Sequence, residues 1–243
     1  MNREDQEFLY ETHLHTSPIS RCGRFSVREN LAFYKSQGYA GVFITNHFID
    51  GNFGGDRTVP YAEQIEFYFS ECEEAVEIGR ELGIDVFYGV ESSYKGTDFL
   101  VYGLSKEWFL AHPEIVDMKR SEFLNLMRED GAFIVQAHPF REEYYIDHIR
   151  LFPRHVEGVE VINASNMEAH MNESARRYAD TYGLIYSAGS DNHFAATFNR
   201  DLAGVKFSHR LTGVEDFIES MRRGEGEIFT MAKKEIFEEG AKQ

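Results

Sequence analysis

This sequence is short of the features that tie a chain to nucleic acid, to a bilayer or to an oxidising compartment. Only 25 basic residues stand against 41 acidic ones, a formal net charge of −16. A phosphate backbone and an anionic membrane surface are both repelled by that balance, which argues against long nucleic acid as a partner. The two cysteines, Cys22 in a polar stretch and Cys72 in an acidic one, make no disulfide framework and suit a reducing compartment. No apolar run approaches the ~18 residues that cross a bilayer, and the opening MNREDQEF is charged, without the apolar centre of a secretory signal. A cytoplasmic protein with no membrane partner is expected. Pro/Gly/Ser-rich tracts, repeats and low-complexity segments are missing too, so residues 1–243 read as a single domain able to bury a sizeable core. No Ser-His-Asp or Cys-His arrangement stands out. The one glycine pair, Gly54-Gly55, does not follow a strand, so neither a phosphate-cradling loop nor a dinucleotide fingerprint is present.

What is present is alternation. Strand-length apolar runs rich in Val, Ile, Phe and Tyr lie near 7–14, 41–46, 85–91, 99–103, 132–137, 158–163 and 184–189, with a further short run at 204–207. Between them, 27–38, 60–83, 118–129, 167–182 and 213–223 carry apolar residues at helical spacing. Gly38, Gly83, Gly131, Gly183 and Gly224 provide their stops. About seven such units predict an α/β fold whose parallel strands close into a barrel, with chemistry at the strands' C-terminal ends.

Histidines and acids collect at those ends. Five of the ten histidines, with Glu91 and Asp191, fall at or just past apolar runs: His13 and His15 in FLYETHLH, His47 in GVFITNH, Glu91 in DVFYGVE, His138 in FIVQAHP, and Asp191 and His193 in LIYSAGSDNH. On an extended strand His13 and His15 leave the same face about 6–7 Å apart along the backbone, so one metal can take both. Asp191 and His193 repeat the spacing with a carboxylate beside an imidazole, a mix that zinc, manganese and iron all accept. Glu91 closes an apolar run, where a buried charge is costly without a cation. Pro139 is expected to stop its strand and to hold His138 extended at the rim. Clustered divalent ions lower the pKa of bound water, so the expected nucleophile is a metal-bridging hydroxide. Arg141, three residues after His138, is placed to offer a bidentate fork to an anionic substrate group, and Arg24 is a second candidate. Asp191 or His193 is the candidate proton donor to the leaving group. The remaining histidines lie away from strand ends, and Tyr144-Tyr145, Trp108 and Phe67–Phe69 read as packing residues.

The ordered segments THLHTS, ITNHF, GVES, QAHPF and AGSDNH, supported by TDFLVYGL at 97–104, GVEVINASN at 158–166 and a closing stretch Gly213–Gly224, resemble the polymerase and histidinol phosphatase (PHP) family from Thr12 to about Gly224. The resemblance implies a distorted seven-stranded, TIM-like β/α barrel holding two or three divalent ions (Mn, Fe or Zn) and hydrolysing phosphoesters. It implies that His13, His15, Glu91 and Asp191 hold one ion, that Glu91 bridges to a second bound by His138, and that His47 and His193 hold a third. The chain departs from the family where Asp98 stands for a histidine, Cys22 for an acid or histidine before a glycine, and Asn46 for an aspartate. Asp98 and Cys22 are therefore candidate ligands as well. The expected activity is a small-molecule phosphatase of the histidinol-phosphatase kind. A phosphodiesterase or nuclease, and a non-catalytic metal-binding barrel, are the alternatives. The substrate's organic half and the oligomeric state are left open.

Overall fold

The structure is a computed structural model and describes residues 6–197 and 200–234. In chain order the elements are β1 (Phe8–Leu14), α1 (Val27–Gln37), β2 (Gly41–Ile44), α2 (Tyr61–Tyr68), α3 (Cys72–Leu82), β3 (Asp85–Tyr94), β4 (Thr97–Tyr102), α4 (Lys106–Ala111), α5 (Arg120–Glu129), β5 (Phe133–Ala137), β6 (Gly158–Asn163), α6 (Ala169–Tyr182), β7 (Ile185–Gly189), β8 (Leu202–Phe207), α7 (Val214–Arg222) and β9 (Glu227–Met231). Among the described residues all nine strands belong to one sheet, ordered β7-β6-β5-β4-β3-β2-β1-β8-β9.

That arrangement corrects the expectation of seven parallel strands. β1-β2, β2-β3, β5-β6 and β6-β7 pair in parallel, but β3-β4, β4-β5, β1-β8 and β8-β9 are antiparallel. The cause at β3-β4 is local. Lys95 (φ 51°) and Gly96 (φ 78°) form a two-residue turn between Tyr94 and Thr97, and left-handed residues at both positions match the twist of a hairpin. Closure is nearly complete. The first half of β1 pairs with β8, while beyond it Leu14 bridges Asn192 just after β7, and His15 N–H donates to the Asn192 carbonyl at 3.3 Å. β9 escapes a sequence reading because its side chains are half-exposed or exposed, as suits an edge strand.

The expected helix over 60–83 is interrupted at residues 69–71, dividing into α2 and α3. The break turns Glu71 inward, where its carboxylate accepts hydrogen bonds from the Thr16 hydroxyl and the Asn46 amide. α1 starts with a capping box between Ser26 and Glu29 and stops at Gly38 in the left-handed conformation. Aromatic side chains fill the end of the sheet opposite the histidines. Phe217 of α7 meets Phe43 (4.4 Å between ring centroids), Tyr102 (5.1 Å), Phe133 and Phe207, so four strands converge on one ring. Burying a side chain of that size contributes about 1.5–3 kcal/mol. Among the described residues no helix is long and apolar enough to cross a membrane.

Candidate metal centre

The parallel strands β1, β2, β5 and β7 end on the same side of the sheet, and the β3-β4 hairpin brings Glu91 and Asp98 to that side as well. His13 and His15 are wholly buried, with their Nε2 atoms 3.2 Å apart. Each ring is aimed by a hydrogen bond behind it: His13 Nδ1 lies 2.9 Å from Glu160 Oε1, and His15 Nδ1 lies 2.9 Å from Ser20 Oγ. A partner on Nδ1 fixes the tautomer and presents Nε2 to whatever lies in front.

In front lie carboxylates. Glu91 Oε1 is 3.1 Å from His13 Nε2 and 3.3 Å from His138 Nε2. Its other oxygen is 3.4 Å from His15 Nε2 and 2.6 Å from His47 Nδ1. Asp191 Oδ1 is 3.5 Å from His13 Nε2, 3.3 Å from His15 Nε2 and 3.5 Å from His193 Nδ1. Ligands held at about 2.0–2.2 Å in a tetrahedron lie roughly 3.3–3.6 Å from one another, and the separations of 3.1–3.5 Å fall in or near that range, while the 2.6 Å contact of His47 with Glu91 is shorter. His47 Nδ1 and Glu91 Oε2 are both buried without a hydrogen-bond partner despite lying 2.6 Å apart. Burial lowers the His47 imidazole, but the charge of Glu91 raises it well above the usual range, so either a proton on Nδ1 or a cation in front of both atoms compensates the carboxylate.

The donors form overlapping groups, each with its ligand atoms within 4.8 Å: His13, His15 and Glu91; His13, His138 and Asp191; Glu91, Asp98 and His138; and His15, His47 and His193. Glu91, His13, His15 and His138 each belong to two of them, so the groups run into one another. The arrangement can hold divalent ions on a His/Glu/Asp framework.

Charge leads to the same conclusion. Glu91 and Asp191 are buried, which by itself raises a carboxyl's pKa, yet both are held well below the usual range by the surrounding imidazoles and, for Asp191, by Arg141 as well. Burial lowers His15, and the neighbouring His193 and His47 push it further down. For His13 burial is outweighed by the charges of Asp191, Glu160 and Glu91, which raise it. A neutral imidazole at His15 is the form that binds a metal. Burial acts to raise the Cys22 thiol too, but hydrogen bonds with His193 and His47 lower it to about 6.

Two backbone positions are unusual. His138 (φ 26°) and Asp191 (φ 51°) both occupy left-handed conformations that non-glycine residues seldom adopt. His138 is thus not held extended by Pro139, as the sequence suggests. Its N–H donates instead to Glu160 Oε2 at 3.0 Å, which turns the peptide inward.

No protein-family model matches the sequence, and the search of curated proteins finds no relative. Solved structures do match. One, from Bacteroides vulgatus, is described as a two-domain protein containing a PHP-like metal-dependent phosphoesterase; it aligns with a TM-score of 0.61 at 16% identity, over 93% of this chain and 65% of its own. This chain therefore spans just under two thirds of that protein's length. A Bifidobacterium adolescentis protein described as a metal-dependent phosphoesterase aligns with a TM-score of 0.53 at 15% identity, over 88% and 96% of the two chains. An amidohydrolase from Chromobacterium violaceum aligns with a TM-score of 0.51 at 15% identity, over 92% and 98%. The chain shares its fold with PHP-like metal-dependent phosphoesterases.

Within this PHP-like fold the expected ligands His13, His15, His47, Glu91, His138, Asp191 and His193 all meet at one centre. Asp98 joins it, with Oδ2 3.8 Å from His138 Nε2, and its carboxyl is raised by burial and by the charge of Glu91. Cys22 lines the cavity over the centre, which encloses about 510 Å³. Arg141 lines it too, its Nη2 2.7 Å from Asp191 Oδ2 and 2.8 Å from Asn163 Oδ1. Arg24 is not brought in: its side chain is exposed and outside the lining, and its described role is a backbone N–H donating to the His193 carbonyl.

Sequence reasoning passed over several partners. Glu160 anchors both His13 and His138, and the signal for it was an acid inside the apolar run GVEVIN. Asn46 is more than an uncharged substitute, because its Oδ1 accepts from the Thr16 N–H and the Ser20 hydroxyl while its amide donates to Glu71. Tyr144 and Tyr145 are not packing residues. They are 96% and 54% exposed at the cavity mouth, where no periodicity marks a stretch without helix or strand.

Proposed function

We propose that this protein is a metal-dependent phosphatase acting on a small phosphomonoester, with two or three divalent ions of the manganese, iron or zinc class held by His13, His15, His47, Glu91, His138, Asp191 and His193. The observation that carries the reading is the four overlapping donor groups, two of them containing Glu91, under a cavity with Arg141 in its wall. Bound there, such ions would activate water and offset charge on phosphoryl oxygens.

The residues supply the rest. The Arg141 guanidinium, fixed by Asn163, Asn166 and Asp191, is aimed for the phosphate. Glu160 and Ser20 keep His13 and His15 from turning away. His193, in the cavity wall with Nδ1 2.9 Å from the Asp191 carbonyl, is the proton donor of this reading; Asp191, the other expected donor, has its carboxyl held well below the usual range and keeps no proton to give. A volume near 510 Å³ suits a small molecule rather than a polymer. A second reading, a phosphodiesterase acting on nucleotides or short oligonucleotides, draws on Tyr144 and Tyr145 at the mouth, where a base could stack. The net charge of −16 weighs against long strands.

The test is a panel of phosphomonoesters and phosphodiesters assayed after chelation and add-back of each ion. Release of inorganic phosphate from monoesters, reduced roughly 100-fold or more in His13→Ala and Asp191→Ala, is expected; outer-shell changes typically cost only 10–100-fold. Cleavage of diesters alone would favour the second reading. Wild-type turnover in either variant would remove both.

A further inference from the structure

A second cavity of about 420 Å³ adjoins the first, sharing Arg141, Asp191 and His193 as a common wall. Its far side is built from Phe194, Met167 and Arg200. The two arginines are neutralised differently. Arg141 is paired with the Asp191 carboxylate, whereas Arg200 donates to the carbonyls of Asn166 (2.9 Å) and Ser165 (3.2 Å) and touches the Met167 sulfur. No carboxylate forms an ion pair with Arg200 among the described residues. Glu143 also lines this space, but it is exposed and screened by water.

Asn166 ties the two arginines together, its side-chain oxygen accepting from Arg141 Nε at 3.2 Å and its carbonyl from Arg200. Two guanidinium groups therefore stand one residue apart, one over the metal centre and one in the annex. Among the described residues the half-buried Arg200 guanidinium is met by carbonyl oxygens and no carboxylate ion pair, which leaves its charge available to an anion entering the annex. Phe194 (46% exposed) and Met167 (66% exposed) offer it an apolar approach.

We infer that the annex is a subsite for the leaving group, and that the substrate carries a second anionic group, carboxylate or phosphate, which Arg200 binds while a short apolar spacer lies against Phe194 and Met167. This rests on the phosphomonoester reading, since it places the scissile phosphate beside Arg141. The substrate class is thus a phosphomonoester whose other end is negatively charged.

Binding of inert phosphonates to the metal-reconstituted protein, measured by calorimetry, tests it without turnover. The probes are phosphonocarboxylates and bisphosphonates of increasing chain length, each compared with the alkylphosphonate of equal length. At one chain length the wild type is expected to prefer an anionic tail by about 10- to 100-fold, the range of a charge-assisted hydrogen bond. Preference for carboxylate or for phosphonate tails identifies which anion is meant. Arg200→Gln, which keeps an amide donor for the two carbonyls, is expected to abolish the preference while leaving the alkylphosphonates within about twofold. Arg200→Lys is expected to retain part of it. Equal binding of charged and neutral tails by the wild type would overturn the inference alone, as would a preference that survives Arg200→Gln. Failure of every phosphonate to bind would remove the phosphomonoester reading and this inference with it.

Discussion

Glu11 stands two residues before His13 on β1, completely buried, with Oε1 accepting from the N–H groups of His13 and Ser190 and Oε2 left without a partner. Burial drives its carboxyl up to about 7, against the opposing hydrogen bonds from Ser190 and His13. A folded-state pKa above the unfolded one means that the folded chain holds the proton more tightly. Glu11 therefore contributes most to stability below about pH 4.5, and that contribution is lost as pH rises towards 7. We expect the stability of wild type relative to Glu11→Gln to fall by about 3 kcal/mol between pH 4.5 and 8, measured by urea unfolding of the metal-free proteins. A flat difference would show that Glu11 ionises normally. The contrast with the ligands also shows what single residues disclose. His13, Glu91 and Asp191 could be picked out because a polar residue closing an apolar run is costly unless something compensates it. Glu11 and Glu160 lie within such runs, where the same cost applies, but neither stands at a strand end. Glu71 sits in an acidic helical stretch and looks like surface until the chain turns it inward.

Elements were legible where hydrophobic periodicity decides them, as in α1, β2, β5, β6 and α6. They were illegible where pairing partners decide them, because Lys95-Gly96 makes β3 and β4 antiparallel through two backbone angles that no apolar pattern records. Gly189, the last residue of β7, shows how closely the elements approach under the site. A Cβ there would meet His13 Cβ at 2.5 Å, Glu160 Oε1 at 2.9 Å and the His13 backbone nitrogen at 3.1 Å, all belonging to fully buried residues. Gly189→Ala is expected to cost about 1–3 kcal/mol through overpacking and to weaken metal affinity by separating His13 from Glu160. Thermal unfolding with and without metal checks this, since the metal-dependent gain in melting temperature should shrink along with the apo value. At the far end of the hairpin, Gly96 has φ 78° and a Cβ there would lie 3.0 Å from Ile146. Gly96→Val is expected to destabilise by a similar amount, and to disturb Glu91 and Asp98 together because one turn sets both.

At the scale of the molecule, one mixed sheet nearly closes on itself, with aromatic rings filling one end and imidazoles and carboxylates the other. The general α/β plan was visible in the sequence, and the strand count and mixed pairing were not, since β8 and β9 share their seam with the segment after β7. The same topology explains why residues as distant as His15 and His193 can offer donors to one ion. Parallel strands carry each motif to the same rim, and the hairpin returns Asp98 beside Glu91. The account depends on that convergence holding metal. Its most direct test is the divalent-ion content of chelated, reconstituted and desalted protein, wild type beside Glu91→Ala, by mass spectrometry of the elements. Two or more ions per wild-type chain, with loss of at least one when the shared carboxylate is removed, is the predicted result; fewer than one ion per wild-type chain, or equal loading of the two proteins, would contradict it.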